Sequence, residues 1–223
     1  MKNKILVVAA HPDDEVLGVG GTIIKHIKNG DQVSILILGD GETSRGNKAD
    51  VRKKAELAKK VSKELGAKEL FLENLPDNKF DSVSLLEIVK KIESVIGKVK
   101  PRVIYTHYSC DLNIDHRLTF QATLTAARPQ PSYGVKKIYA FEIPSSTEWQ
   151  IKDKSNVFCP NFYNDISKYL EKKIELMKVY RDELRGFPHP RSAEGLRILA
   201  GFRGMEIGLR AAEAFQLIRE IND

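Results

Sequence analysis

The stretch Ile5-Leu-Val-Val-Ala-Ala-His-Pro-Asp-Asp-Glu-Val-Leu-Gly-Val-Gly-Gly-Thr22 decides the fold. Ile5 to Ala10 is a short apolar run rich in branched side chains, with no alternation of polar and apolar positions. That pattern suits a strand of a parallel sheet covered on both faces. His11 to Glu15 then sets one imidazole and three carboxylates within five residues, where such a strand ends and where open α/β sheets bind their ligands. Pro12 stiffens the turn by fixing its own φ. Three carboxylates this close repel one another, and a simple turn is made at lower electrostatic cost from Asn, Ser or Gly. A bound cation removes the conflict. His11 and Asp14, three residues apart on a turn, can offer one nitrogen and one oxygen to a metal of zinc type, leaving Asp13 to act on a water bound to it. The plain alternative is a solvated acidic turn.

His11-Pro12-Asp13-Asp14-Glu15, followed by Gly18, Gly20, Gly21 and Thr22, closely resembles the signature that opens the LmbE-like (PIG-L) zinc-dependent de-N-acetylases. These enzymes remove acetyl groups from N-acetylglucosamine-type sugars. The family begins with this strand and motif near its N-terminus, as this chain does.

The 223 residues can bury a full core without metal or disulfide staples, and the length is read most simply as one domain, 1–223. With 42% hydrophobic and 30% charged residues the composition is that of an ordinary soluble globular protein. No apolar run approaches the ~20 residues of a membrane span, and Met1 to Lys4 leads into the first strand without a cleavable signal pattern. A cytoplasmic protein with no membrane span is expected. Cys110 and Cys159 suggest neither a disulfide framework nor a thiolate metal site. The net charge of +6 is spread over lysines such as Lys53-Lys54, Lys59-Lys60 and Lys90-Lys91, read as solvated helix faces. Basic residues clustered among aromatics are missing, so nucleic acid is not an expected partner. The charge suits a phosphate-bearing substrate only weakly, and homo-oligomerisation is left open.

Along the chain, helices are expected over 22–29, 48–65, 83–99, 117–127, 166–181 and from Ala193, and strands over 33–38, 68–72, 102–106 and 136–141. The alternation predicts an α/β fold: a Rossmann-like, mostly parallel sheet with helices on both faces. Gly39 to Gly46 forms a polar loop over the same sheet edge as His11, and Arg45 there is a candidate contact for a substrate phosphate or carboxylate. Equally, it can be an ordinary surface residue.

A second chemical cluster, Thr106-His-Tyr-Ser-Cys-Asp-Leu-Asn-Ile-Asp-His-Arg117, follows the fourth strand. A parallel sheet places it above the same edge as His11 and Asp14, although about a hundred residues separate them. His116, opening a helix, is the proposed third ligand, which gives two histidines and a carboxylate with one position open for water. In the resemblance, Asp115-His116 is similar to the family's Asp-His pair, whose histidine binds zinc. Asp115 is read as a supporting catalytic residue that orients a histidine or the water. Many bacterial members carry a histidine three positions before that ligand. Here the position is Asn113, a candidate substrate contact that can hydrogen-bond but cannot act as an acid. The proton donor must then be sought elsewhere. His107 is a weaker candidate, read rather as a packing or supporting residue.

Gly186-Phe-Pro-His-Pro-Arg-Ser192 is the third constellation, with two prolines restricting how His189 is presented. Together with Arg203-Gly204 and Ala212-Glu-Ala-Phe215 it resembles the C-terminal part of the family's sugar deacetylases. His189 is a candidate catalytic residue and Arg191 a candidate substrate contact. Trp149 could give a sugar ring an apolar face, or could be plain core.

These parts predict a metal-dependent amidase acting on the linear amide of an N-acetylated amino sugar or its conjugate. The metal is held by His11, Asp14 and His116, with Asp13 as general base toward a metal-bound water. Zn2+ is what the resemblance implies, while the ligand set also suits iron or cobalt. The alternatives are a non-catalytic metal-binding module and, less favoured, a Rossmann-type nucleotide-binding protein. Against the latter, Gly18-Val-Gly-Gly21 misses the G-x-G-x-x-G spacing and the acidic run repels a pyrophosphate.

Overall fold

The computed structural model describes residues 2–44, 48–130 and 134–222. Strand β1 (Lys4–Ala9) turns successive side chains to opposite faces, and both faces are buried. Ile5, Val7 and Ala9 join one apolar core, while Leu6, Val8 and the following Ala10 join the other. Burial on both sides is why the run shows no alternation in the sequence. The remaining strands are β2 (Gln32–Gly39), β3 (Glu69–Leu75), β4 (Val103–His107), β5 (Lys137–Phe141), β6 (Phe162–Asp165) and β7 (Ala212–Glu220). Their order across the sheet is β3-β2-β1-β4-β5-β7-β6. The pairings from β3 to β5 are parallel, and β7 is antiparallel to both β5 and β6.

Helices α1 (Asp14–Lys28), α2 (Lys48–Leu65) and α5 (Leu170–Met177) pack on one face, and α3 (Leu85–Val99) and α4 (Ile114–Ala126) on the other. Helix α6 (Ala193–Met205) contacts α5 and β7. This is the Rossmann-like α/β arrangement that the alternation of elements predicts. The chain runs from β1 outward to β2 and β3, then crosses back to β4 on the other side of β1. The carboxyl ends of β1 and β4 thus flank the point where the winding reverses, which leaves a crevice for a ligand. No described helix is long and apolar enough to cross a membrane.

Three local readings need correction. Helix α1 begins at Asp14 rather than at Thr22. Its glycines serve close packing, not a loop: a Cβ on Gly21 would lie 2.7 Å from Ile166 Cγ2, and one on Gly18 would collide with the Phe141 ring. On its buried side the helix is spliced by an ion pair. Glu213 of β7 accepts from Gly21 N (2.9 Å) and Thr22 N (2.7 Å), while Lys173 of α5 donates to Leu17 O (2.8 Å) and to Glu213 (2.6 Å). Strand β7, not foreseen as a strand, thereby steadies the helix that carries Asp14. Lys54, expected on a solvated face, is only 3% exposed. Finally, the helix expected over 166–181 is regular only from Leu170 to Met177.

Candidate metal and catalytic site

His11 leaves β1, Asp14 opens α1, and His116 lies in the first turn of α4, whose N-terminus Asn113 caps by accepting from Asp115 N. All three side chains are buried. Asp14 Oδ2 stands 3.4 Å from His11 Nδ1 and 3.4 Å from His116 Nε2, and one ligand atom from each residue falls within 4.8 Å of the others. Asp14 Oδ1, also buried, has no hydrogen-bond partner among the described residues. A buried carboxylate oxygen without a donor is costly unless something else satisfies it. The donor set and this orphaned atom fit a divalent cation.

His11, Asp77 and Asp115 form a second group of the same compactness, but its atoms are already engaged. His11 Nε2 lies 2.9 Å from Asp115 Oδ2 and 3.3 Å from Asp77 Oδ1. Asp115 further accepts from Asn78 N (2.7 Å) and Phe80 N (3.0 Å). These carboxylates fix the His11 ring so that Nδ1 faces Asp14, the usual service of a carboxylate behind a metal-binding histidine. Of the two partners expected for Asp115, a neighbouring histidine or a water, the structure sets the histidine, His11, against it.

Asp111 does the same for His116. It accepts from Nδ1 at 3.0 Å and is itself held by the Ser146 and Thr147 hydroxyls. Burial works against its ionisation, but His116 pulls its pKa down to about 2. Asp111→Ala is expected to weaken binding of a divalent cation by about 10–100-fold while leaving His11, Asp14 and His116 in place. Competition titration with a chelator measures it, and unchanged affinity would exclude this role.

Burial opposes the protonation of His11 and His116, yet in the metal-free protein their carboxylate neighbours prevail. Asp115 and Asp14 push His11 up to about 10, and Asp14 and Asp111 push His116 up to about 9. For Asp14 burial is again unfavourable, and His116 is the main group holding its carboxyl well below the ordinary range. His107 is fully buried, accepts from Ala10 N at 2.9 Å and stacks on His116 at 4.0 Å between ring centroids. Burial, then His116, hold it far below the usual imidazole pKa. It is a neutral packing residue.

Asp13 is 3% exposed and has an unusual backbone, φ 124°. Its Oδ2 accepts from Arg191 Nη1 at 3.0 Å, and Oδ1 has no donor among the described residues. Burial raises its pKa to about 8 despite Arg191, with Asp14, Glu183 and Glu15 adding to the rise. Arg191, read from the sequence as a substrate contact, is engaged on Asp13, lies 3.6 Å from Glu183 Oε2 and donates from Nε to Pro144 O. Its backbone N–H donates to His189 Nδ1 at 3.1 Å, which leaves the proton of the neutral ring on Nε2. Burial, Arg191 and Arg185 all lower the His189 pKa.

Asn78, Asn113, Glu183 and Arg191 line both the small recess of His11, Asp13, Asp14 and His116 and a cavity of about 520 Å3 that adjoins it. His189 and Trp149 form part of the cavity wall, their rings edge to face at 5.4 Å, and Trp149 is 54% exposed. Arg45 lies outside the described residues. A further cavity of about 410 Å3, at the amino ends of the strands beside Arg102 and Lys136, holds none of the motif residues. Sequence reasoning passed over Asp77, Glu183, Ser146, Thr147 and the orienting role of Asp111. Of these only Asp111 stood inside a chemical cluster, because Asp, Ser and Thr are equally common as plain turn residues.

A buried His-Asp-His recess with an independent carboxylate beside it, at the winding reversal of a parallel sheet, defines a candidate metal-dependent hydrolase. The chain belongs to the PIG-L (GlcNAc-PI de-N-acetylase) family, whose model matches residues 6–127, and is thus a deacetylase-type hydrolase. It is 26% identical over 228 residues to the diacetylchitobiose deacetylase of Thermococcus kodakarensis, covering 96% of this chain and 83% of that protein. It is 24% identical over 194 residues to a Bacillus anthracis protein named "Probable N-acetyl-alpha-D-glucosaminyl L-malate deacetylase 2", covering 82% and 83% of the two chains. The same fold occurs in the 4-carboxy-2-hydroxymuconate hydratase of Pseudomonas putida KT2440, with a TM-score of 0.79, 20% identity and coverage of 100% and 98%. Fold alone therefore does not name the reaction.

Proposed function

We propose that the protein hydrolyses the N-acetyl amide of an N-acetylated amino sugar or its conjugate, with zinc as its metal. The observation that carries this reading is Asp13, set beside the His11–Asp14–His116 recess with one oxygen clamped by Arg191 and the other without a donor among the described residues. A purely metal-storing site needs no such carboxylate. Relatives named for deacetylating diacetylchitobiose and an N-acetylglucosaminyl malate support the amino-sugar class.

An amide is a poor electrophile and neutral water a poor nucleophile, so both need activation. His11, Asp14 and His116 would hold a divalent cation, which would supply Lewis acidity to polarise the carbonyl and lower the pKa of water from about 15.7 to about 7. Asp13, beside the recess, takes the proton of the attacking water. Arg191 keeps that carboxylate aimed. His189, neutral and with its proton on Nε2, donates toward the oxygen that gains charge or passes a proton to the departing amine. Asn113 cannot supply that proton, so the task falls to His189 or to Asp13 returning its own. Trp149 offers a sugar ring an apolar face, while Asn78, Asn113 and Ser145 suit its hydroxyls.

His189→Ala is expected to lower kcat by about 10²–10³-fold with metal content unchanged. Metal analysis beside steady-state kinetics checks it, and unaltered turnover would remove His189 from the mechanism. The reading as a whole is tested by acetate release from a panel of N-acetylhexosamine compounds, nucleotide-linked sugars included. The protein is first stripped of metal and then resupplied with zinc. Zinc-dependent release establishes the reaction. Stoichiometric zinc without release from any compound points to another amide or to a non-catalytic module.

A further inference from the structure

Lys54 is a lysine in the middle of a peripheral helix, yet it is 3% exposed. Burying an ammonium is unfavourable unless it is paired. Lys54 Nζ donates to Glu183 Oε1 and lies 3.4 Å from Glu42 Oε1. Glu42 belongs to the loop after β2 and Glu183 to the segment after α5, two walls of the crevice. Glu183 presents its other oxygen to Arg191 Nη1 at 3.6 Å, and the same nitrogen donates to Asp13 Oδ2 at 3.0 Å. A line of alternating charge thus runs from α2, none of whose described residues lines the metal recess, to the carboxylate that takes the water's proton.

We propose that Lys54 is a positioning residue for the reaction: it anchors Glu183, which holds the Arg191 guanidinium where it fixes the orientation of Asp13. This rests on the function proposed above. The geometry distinguishes it from a structural ion pair. A simple tie between α2 and the 178–192 segment needs only one carboxylate, whereas Glu183 is shared by Lys54 and Arg191. Arg191 is in turn steadied through Nε by Pro144 O, 3.2 Å away. A guanidinium restrained at two of its nitrogens can place a carboxylate oxygen to within a fraction of an ångström, and loss of such placement slows a reaction without removing any reacting group.

The test compares zinc-loaded wild type, Lys54→Met and Lys54→Arg by steady-state acetate release from the best compound of the panel, by zinc content and by a crystal structure of each. Lys54→Met is expected to keep full zinc, to lower kcat by about 10–100-fold and to leave KM within about twofold. In its crystal structure the Arg191 guanidinium should have moved off Asp13. Lys54→Arg, which can still pair with Glu183, should recover most of the loss. If Lys54→Met does not fold, Lys54→Met combined with Glu183→Gln removes both buried charges and should show the same kcat loss. A folded variant with unchanged kcat and Arg191 still on Asp13 overturns the proposal, as does a rise in KM alone. Should wild type release no acetate while Arg191 leaves Asp13 in Lys54→Met, the proposed function fails and the positioning stands.

Discussion

Asp13→Ala is expected to retain one zinc per chain and to lose about 10²–10⁴-fold in turnover. None of the three candidate ligand side chains is altered, and Arg191, whose guanidinium donates to Asp13 Oδ2, keeps Glu183 as a neighbour. Asp13→Asn separates the two services of this residue. The amide oxygen can still accept from Arg191, so the position is kept, but it cannot hold the proton of the attacking water. An Asn variant as slow as the Ala variant identifies proton transfer as the missing function. An Asn variant with near wild-type turnover shows that only the contact to Arg191 mattered, and the base must be sought elsewhere. Asp13 also has a backbone that L-residues rarely adopt, φ 124° and ψ −30°. Such strain costs on the order of 1–3 kcal/mol. Asp13→Gly should therefore be inactive yet melt at a higher temperature than Asp13→Ala, and calorimetry on the two variants reads this directly.

His116→Ala is expected to lose zinc and turnover together, the latter by at least about a thousandfold, since Lewis-acid stabilisation is worth several kcal/mol. Full zinc occupancy at the wild-type rate would remove His116 from the ligand set. In wild type the same residues are expected to make zinc affinity strongly dependent on pH. Without metal, burial opposes protonation of both rings, yet Asp115 and Asp14 push His11 up to about 10, and Asp14 and Asp111 push His116 up to about 9. Each ring must give up a proton before it can bind a cation. Below pH 9 two protons are displaced per metal, so log K should fall by about two for each unit of decreasing pH, flattening above pH 10.

Stability moves the opposite way in the stripped protein. A histidine whose pKa is raised on folding stabilises the native state fully below its unfolded value, 6.5, and loses that contribution as the pH passes the folded value. The metal-free protein should therefore lose melting temperature between about pH 6.5 and 10, while the zinc-loaded protein does not follow. Parallel curves for the two forms would mean that these histidines are not the residues exchanging protons for metal.

The candidate metal-binding cluster was legible because each of its residues sits in a local pattern that needs explaining: His11 and Asp14 in a turn with too many carboxylates, His116 in a cluster after the fourth strand. The helix start at Asp14 was not legible. The helix was expected only from Thr22, after Gly18, Gly20 and Gly21, and it takes the Phe141 ring and Ile166, contributed by distant segments, to show that Gly18 and Gly21 lie inside the helix for close contact. Arg191 was recognised as part of the site, but its target was not, since a guanidinium pairs with a carboxylate and a substrate phosphate equally well. Lys54 was misjudged because a lysine beside a second lysine on an amphipathic helix is ordinarily solvated.

By itself the sequence determined the order of strands and helices as far as β5, the two-faced burial of β1 and the edge of the sheet where the chemistry collects. These follow from side-chain periodicity and from chain direction, both of which are local. Tertiary structure alone decided which oxygen of which carboxylate does what. Asp115 supports His11 across 104 positions of sequence and Arg191 clamps Asp13 across 178. An Asp in a loop can be a turn former, a metal ligand, a base or a brace. Its role is fixed only when packing brings a particular donor to one of its oxygens and leaves the other without one.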